Sequence, residues 1–152
     1  MIILRSHSKA FTLLELLVTI AVVAIVTAVA APSFTNIVER QRVSGVSYAL
    51  RSSIEFARSE AIKRNTVISV SRVGDSWNNG WQVAEGATIL ESSPALTAVN
   101  ISSAVTSLQF DGSGRAGTAS TFGIKASSGN SDSAFCLRTN LNGQVRGNKG
   151  SC

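Results

Sequence analysis

Between Phe11 and Ala31 the chain carries one charged side chain, Glu15, in an otherwise uncharged and mostly apolar run. That run restricts the fold more than any other feature. A helix of roughly 20 residues rises about 30 Å, the thickness of a bilayer's hydrocarbon core. A lone carboxylate inside it is costly, so Glu15 reads as a functional group that something compensates in the working state. A secretory signal also places basic residues (here Arg5 and Lys9) before an apolar run, but one of only about 7–15 residues. In this chain Ala30-Ala31 is followed by Pro32 and a continuing helical pattern. A plain membrane anchor accounts for the run and leaves Glu15 unexplained.

Helical spacing resumes directly after Pro32, which is therefore expected to kink the helix and not to end it. Phe34, Ile37, Val38, Val46, Leu50, Ile54, Ala57 and Ala61 follow in helical steps. Arg51–Glu55 and Glu60–Arg64 at i,i+4 and Glu60–Lys63 at i,i+3 decorate the other faces. One helix from about Phe11 to about Arg64 results, near 80 Å long. Its first half is apolar all round, with Ala21, Ala24, Ala28, Ala30 and Ala31 small enough for close helix packing. Its second half shows one stripe, suited to packing on its own domain.

After Asn65 the periodicity shortens. Strands are expected at Thr66–Arg72, Trp81–Ala84, Thr88–Glu91, Val105–Phe110, Thr121–Lys125, Phe135–Arg138 and Gln144–Arg146. Asn79-Gly80 between Trp77 and Trp81 signals a hairpin, and packing at its base is the expected role of the two indoles. The Ser/Thr/Asn-rich stretches Ser92–Ser103 and Ser127–Ser133 read as exposed linkers. The fold class is α+β: a long N-terminal helix packed on antiparallel sheet.

The word Lys9-Ala10-Phe11-Thr12-Leu13-Leu14-Glu15-Leu16-Leu17-Val18 resembles the class III signal of type IV prepilins and type II secretion pseudopilins. Phe56-Ala57-Arg58-Ser59-Glu60-Ala61-Ile62-Lys63-Arg64-Asn65, Asn79-Gly80-Trp81, Leu108-Gln109-Phe110-Asp111-Gly112-Ser113-Gly114 and the closing cysteines are similar to landmarks of the GspH/FimT/FimU group. The resemblance implies a pilin fold with a cleaved leader over 1–10, a transmembrane and filament-core helix over 11–32, and a globular domain over 33–152. Prepilin peptidase would cut between Ala10 and Phe11 and methylate the Phe11 amine. Glu15 would answer the amine of a neighbouring subunit. The family usually has Gly before the cut, where this chain has the small residue Ala10. The chain would lie in the bacterial inner membrane with its domain in the periplasm, then join other pilins in a filament at the cell surface. The FARSEA-type word and the cysteine pair look more like pilus-associated minor pilins, which sit near a filament tip, than like the secretion pseudopilin.

Cys136 and Cys152 are the two cysteines. An even count, in a domain the anchor would hold outside the cytoplasm, favours a disulfide over free thiols. A zinc pair lacks ligands, because the single histidine, His7, lies in the leader. No catalytic triad, Cys/His pair or paired-carboxylate set is present without His7, so neither enzyme activity nor a cofactor is expected. Gly112-Ser113-Gly114-Arg115-Ala116-Gly117 matches G-x-G-x-x-G in form, but strand-type residues follow it where a dinucleotide site needs a helix.

The net charge is +5. Five basic residues (Arg115, Lys125, Arg138, Arg146, Lys149) against Asp111 and Asp132 follow residue 110. Transformation-linked members of the resembling group carry a Gly-Arg-x-Arg word that contacts DNA. Here Gly143-Gln144-Val145-Arg146 matches its second arginine and has Gln144 for the first. Arg146 and Lys149, with Arg138 and Gln144, are thus the candidate contacts to double-stranded DNA. Gln144 supplies a hydrogen bond but no counterion release. So few charges, with no stacking aromatic beside them, fit a solvated basic loop better than a binding surface.

Overall fold

The computed structural model describes residues 11–152, with the side chains of 29–33 outside that description. The leader 1–10, and with it the Ala10 side of the junction, lies outside the described residues. The first element is helix α1 (Leu13–Arg64). It runs on through Pro32 without ending, while the expected kink falls on the segment whose side chains are not described. The chain divides into two compact units between Asn36 and Ile37. Among the described residues no helix is long and apolar enough to cross a membrane. The part of the apolar run with described side chains ends at Ala28, short of the ~20 residues a span needs.

Both ends of α1 have local causes. Thr12 Oγ1 accepts the Glu15 N–H at 3.2 Å, so Thr12-Leu13-Leu14-Glu15 has the spacing of a capping box. At the other end Asn65 adopts φ 52. The Asn65 N–H meets Ile62 O at 3.3 Å and the Thr66 N–H meets Ala61 O at 3.2 Å, the paired bonds of a Schellman stop. Lys63 and Arg64 in the last turn complement the helix dipole.

Eight strands follow: β1 (Ile68–Arg72), β2 (Trp81–Glu85), β3 (Thr88–Ser92), β4 (Val99–Ser103), β5 (Ser107–Phe110), β6 (Ser120–Ala126), β7 (Ala134–Thr139) and β8 (Val145–Lys149). They form two antiparallel sheets, ordered β3-β2-β1-β5 and β4-β6-β7-β8. Val43, Leu50, Ile54, Ala57 and Ala61 of α1 join one core with Ile68, Val70, Val83, Leu108, Phe122 and Leu137 of the sheets.

Three expectations are corrected. The buried stripe of α1 starts at Val43, whereas Phe34 and Ile37 are exposed; Ser47 and Ser53 complete its polar part. The stretch Ser92–Ser103 contains strand β4, whose Val99 and Ile101 are buried while their neighbours face solvent. Asn79-Gly80 does lie in a hairpin, a wide one: β1 and β2 pair antiparallel across the loop 73–80, in which Trp77–Asn79 form a 3-10 turn that Gly80 caps at φ 94. A Cβ at Gly80 would lie 2.3 Å from Ser93 O, which explains the glycine. The two indoles do not share a hairpin base but enter the core. Trp77 stacks edge-on to Phe122 at 5.0 Å and donates to Val105 O. Trp81 donates to Ser53 Oγ, which in turn donates to Glu91.

Candidate functional site: the first helical turn and the C-terminal strand

Phe11 lies two residues before α1, and Glu15 lies in its first turn. Phe11 is 71 % exposed, and Leu13, Leu14, Leu17, Ile20, Val23 and Ile25 are each at least 60 % exposed. Glu15 has no ion-pair partner among the described residues. Its backbone N–H donates to Thr12 Oγ1. The spacing Thr12-x-x-Glu15 is the sequence signal for this cap, and hydropathy passes over it because Thr12 counts as neutral.

The disulfide expected from the cysteine count forms: Cys136 and Cys152 are bonded, with Cα atoms 5.1 Å apart. Cys136 lies on β7, and Cys152 Sγ rests 3.4 Å from Phe122 O of β6. That sulfur carries no proton, so the contact is van der Waals packing. The bridge folds the chain after β8 back across the sheet.

Strand alternation decides which basic residues meet. On β7 Leu137 and Thr139 point into the core, so Arg138 points outward. Its cross-strand partner is Arg146. Lys149 pairs with Phe135, whose ring lies 6.3 Å from that of Tyr48 on α1. Arg138 and Arg146 therefore share the outer face, and Lys149 belongs to the face toward the helix. The candidate patch of Arg138, Arg146 and Lys149 is corrected accordingly: Lys149 lies three positions after Arg146, and an odd step on a strand reverses the face. Gln144 Oε1 accepts from Arg146 Nη2 at 3.1 Å and from Nε at 3.3 Å, so it orients that guanidinium.

A second cluster is structural. Glu60 is buried to 8 % exposure and receives Arg64 Nε at 2.6 Å and Lys63 Nζ at 3.3 Å, while Arg64 also reaches Glu85. The Arg64 hydrogen bond leads in holding the Glu60 carboxyl below its ordinary pKa, against the opposing effect of burial. The glycine-rich stretch after β5 is a turn, as expected. Asp111 accepts from Ser113 Oγ and from the N–H groups of Ser113 and Arg115, and these bonds, the Ser113 hydroxyl first, lower its pKa.

The geometry is that of a pilin: one long N-terminal helix, apolar at its start, whose second half packs on antiparallel sheet. Solved structures share it. Minor pilin FimU of Pseudomonas aeruginosa matches at TM-score 0.63 and 24 % identity, covering 70 % of this chain and 88 % of that one. The minor pseudopilin EpsH from the type 2 secretion system of Vibrio cholerae matches at TM-score 0.54 and 15 % identity, covering 70 % and 94 %. The chain belongs to the GspH family, described as type II transport protein GspH, whose model matches residues 48–143. The prokaryotic N-terminal methylation motif matches residues 5–31. No curated protein matches the chain.

Proposed function

We propose that this chain is a minor pilin of a type IV pilus that takes part in assembly at or near the filament tip. In this reading residues 11–32 hold it in the inner membrane, with the domain in the periplasm, until it is drawn into a filament of other pilins. Prepilin peptidase removes residues 1–10 and methylates Phe11, and the protein is a structural subunit with no catalytic role. The observation that carries the proposal is the exposed apolar surface around one carboxylate, Glu15, without an ion-pair partner among the described residues and inside a matched methylation motif. Such a surface needs other helices or lipid to cover it, and burial of Glu15 needs a cation. The amine of Phe11, on its own chain or a neighbour's, supplies one.

Glu15→Gln separates this role from capping. Glutamine serves in a capping box as glutamate does, so the helix start is kept and only the charge is lost. Reduced incorporation into sheared pili of both Glu15→Gln and Glu15→Ala supports the pairing. Normal incorporation of Glu15→Gln contradicts it.

A pseudopilin serving protein export has the same physical requirements, and the family description and the EpsH likeness favour it as the second reading. The genes adjoining this one separate pilus from secretion system. DNA capture is the third reading, with Arg146 and Lys149 as its main contacts beside Arg138 and Gln144; of these, Arg138 and Arg146 are cross-strand partners. Gel-shift titration with Arg146→Ala tests it: sequence-independent, salt-sensitive binding that weakens in the variant supports uptake, and absence of a shift at low salt removes it.

A further inference from the structure

Each sheet has two edges, and two of the four are closed by the chain itself. Asn78 Oδ1 accepts the Ile101 N–H and occupies the free side of β4. Gly117 N–H donates to Gln109 O, and Ala116 bridges Phe110, so the turn after β5 covers that strand. Strand β8 has no such cover among the described residues.

Its hydrogen-bond parity follows from the flanking bonds. Gly150 N–H donates to Ala134 O and Asn140 N–H to Gln144 O. Given the register Phe135↔Lys149 to Thr139↔Val145, residues 146 and 148 also bond toward β7. The N–H and C=O groups of Val145, Gly147 and Lys149 consequently point outward, and no described residue caps them.

This edge lies beside a trough along α1. At the Val145 end a cavity of about 490 Å³ is walled by Arg51, Arg58 and Gln144. At the Lys149 end a smaller one, about 140 Å³, includes Arg40. Five cations, Arg40, Arg51, Arg58, Arg146 and Lys149, flank the edge against Glu55 and Asp132, each of which already faces one of the arginines. Basic side chains on an edge discourage a second copy of the same strand from pairing with it. They favour a strand of opposite charge.

The geometry points to strand addition at β8: an extended, acidic segment of another protein chain pairs with the outward groups of Val145, Gly147 and Lys149. Backbone hydrogen bonds hold the segment, and the surrounding cations select its carboxylates. This inference does not depend on which filament or secretion role the chain serves.

The test uses the full chain in detergent micelles and a synthetic peptide of about eight residues alternating Val and Glu, long enough to span one strand edge. Amide hydrogen exchange is followed by NMR. Binding should slow exchange at 145, 147 and 149 and leave 146 and 148, already bonded to β7, unchanged. Lys149→Pro removes one outward N–H without breaking a bond to β7 and should weaken the peptide about tenfold. A Val/Lys peptide should bind at least about tenfold more weakly than the Val/Glu one. Absence of protection at 145, 147 and 149 under saturating peptide overturns the proposal. So does a surface that binds a DNA duplex and ignores the peptide.

Discussion

Arg58 Nε donates to the carbonyl oxygen of Gly114 at 3.0 Å, tying the end of α1 to the glycine turn after β5. A third segment closes on the same pair. A Cβ at Gly143 would sit 2.1 Å from Gly114 O and 2.8 Å from Arg58 Nε. A Cβ at Gly114 would meet Ile62 at 2.6 Å, and one at Gly112 would meet Asn65 Oδ1 at 2.5 Å. The Ala-Arg-Ser-Glu-Ala word, the Gly-Ser-Gly turn and the β7–β8 hairpin, far apart in sequence, are thus one packing junction.

Gly143→Ala should be strongly destabilising for this reason. The residue has φ 78, where an L side chain is strained, and its neighbour in the clash is backbone. Strain and overpacking together should cost about 3 kcal/mol. Urea unfolding followed by circular dichroism checks it. Gly129→Ala, also at positive φ but with open space around its Cβ, should cost about 1 kcal/mol.

Ser53→Ala should leave the Trp81 indole N–H buried without an acceptor and remove a donor to Glu91. A loss of about 2 kcal/mol is expected, because the unmade bond leaves a desolvated donor behind. In the double variant Ser53→Ala/Trp81→Phe the two effects should be less than additive, since the orphaned N–H is gone. Denaturant melts of the four proteins measure the coupling.

Reducing the Cys136–Cys152 bridge, or replacing both cysteines by serine, should lower stability by about 3 kcal/mol on the chain-entropy account. Sheet β4-β6-β7-β8 keeps its ladder bonds, so far-ultraviolet circular dichroism should change little at low temperature. Increased exchange should be confined to the chain after β8 and to β6 where Cys152 packs. Thermal melts with and without reductant make the comparison.

Acid should unfold the domain through Glu60 and Asp111. Both carboxyls have pKa values lowered in the folded protein, Glu60 chiefly by Arg64 and Asp111 chiefly by Ser113. A lowered folded pKa gives stability that is present above the unfolded carboxylate value, about 4, and is lost as pH falls through the folded value. Stability should therefore decline below about pH 4. Glu60→Gln should flatten that decline while lowering stability at neutral pH, as pH-dependent melts will read.

Much of this is legible in the residues, and the failures share physical causes. The helix end at Arg64 is readable because the 3.6-residue stripe stops where Asn65 can take the left-handed conformation. The stripe's start is not, because Phe34 and Ile37 are as apolar as Leu50 and spacing alone cannot tell which surface covers them. Strand β4 hides in a Ser/Thr-rich stretch, where two residues, Val99 and Ile101, carry the alternation. Lys149 groups with Arg146 only if the strand stops at Arg146. The observed strand continues to Lys149, and alternation then parts them. The Asn79-Gly80 signal marks the β1–β2 hairpin but not its width, because Trp77 turns into the core and lengthens the loop.

In the proposed function Phe11 begins a filament subunit and its amine pairs with Glu15. N-terminal sequencing and intact mass of the protein, purified from cells that carry its own prepilin peptidase, test it most directly. The expected product is a chain beginning with N-methylated Phe11 and lacking residues 1–10. A chain that retains Met1, or one cut beyond Ala31 and so without Glu15, would contradict it.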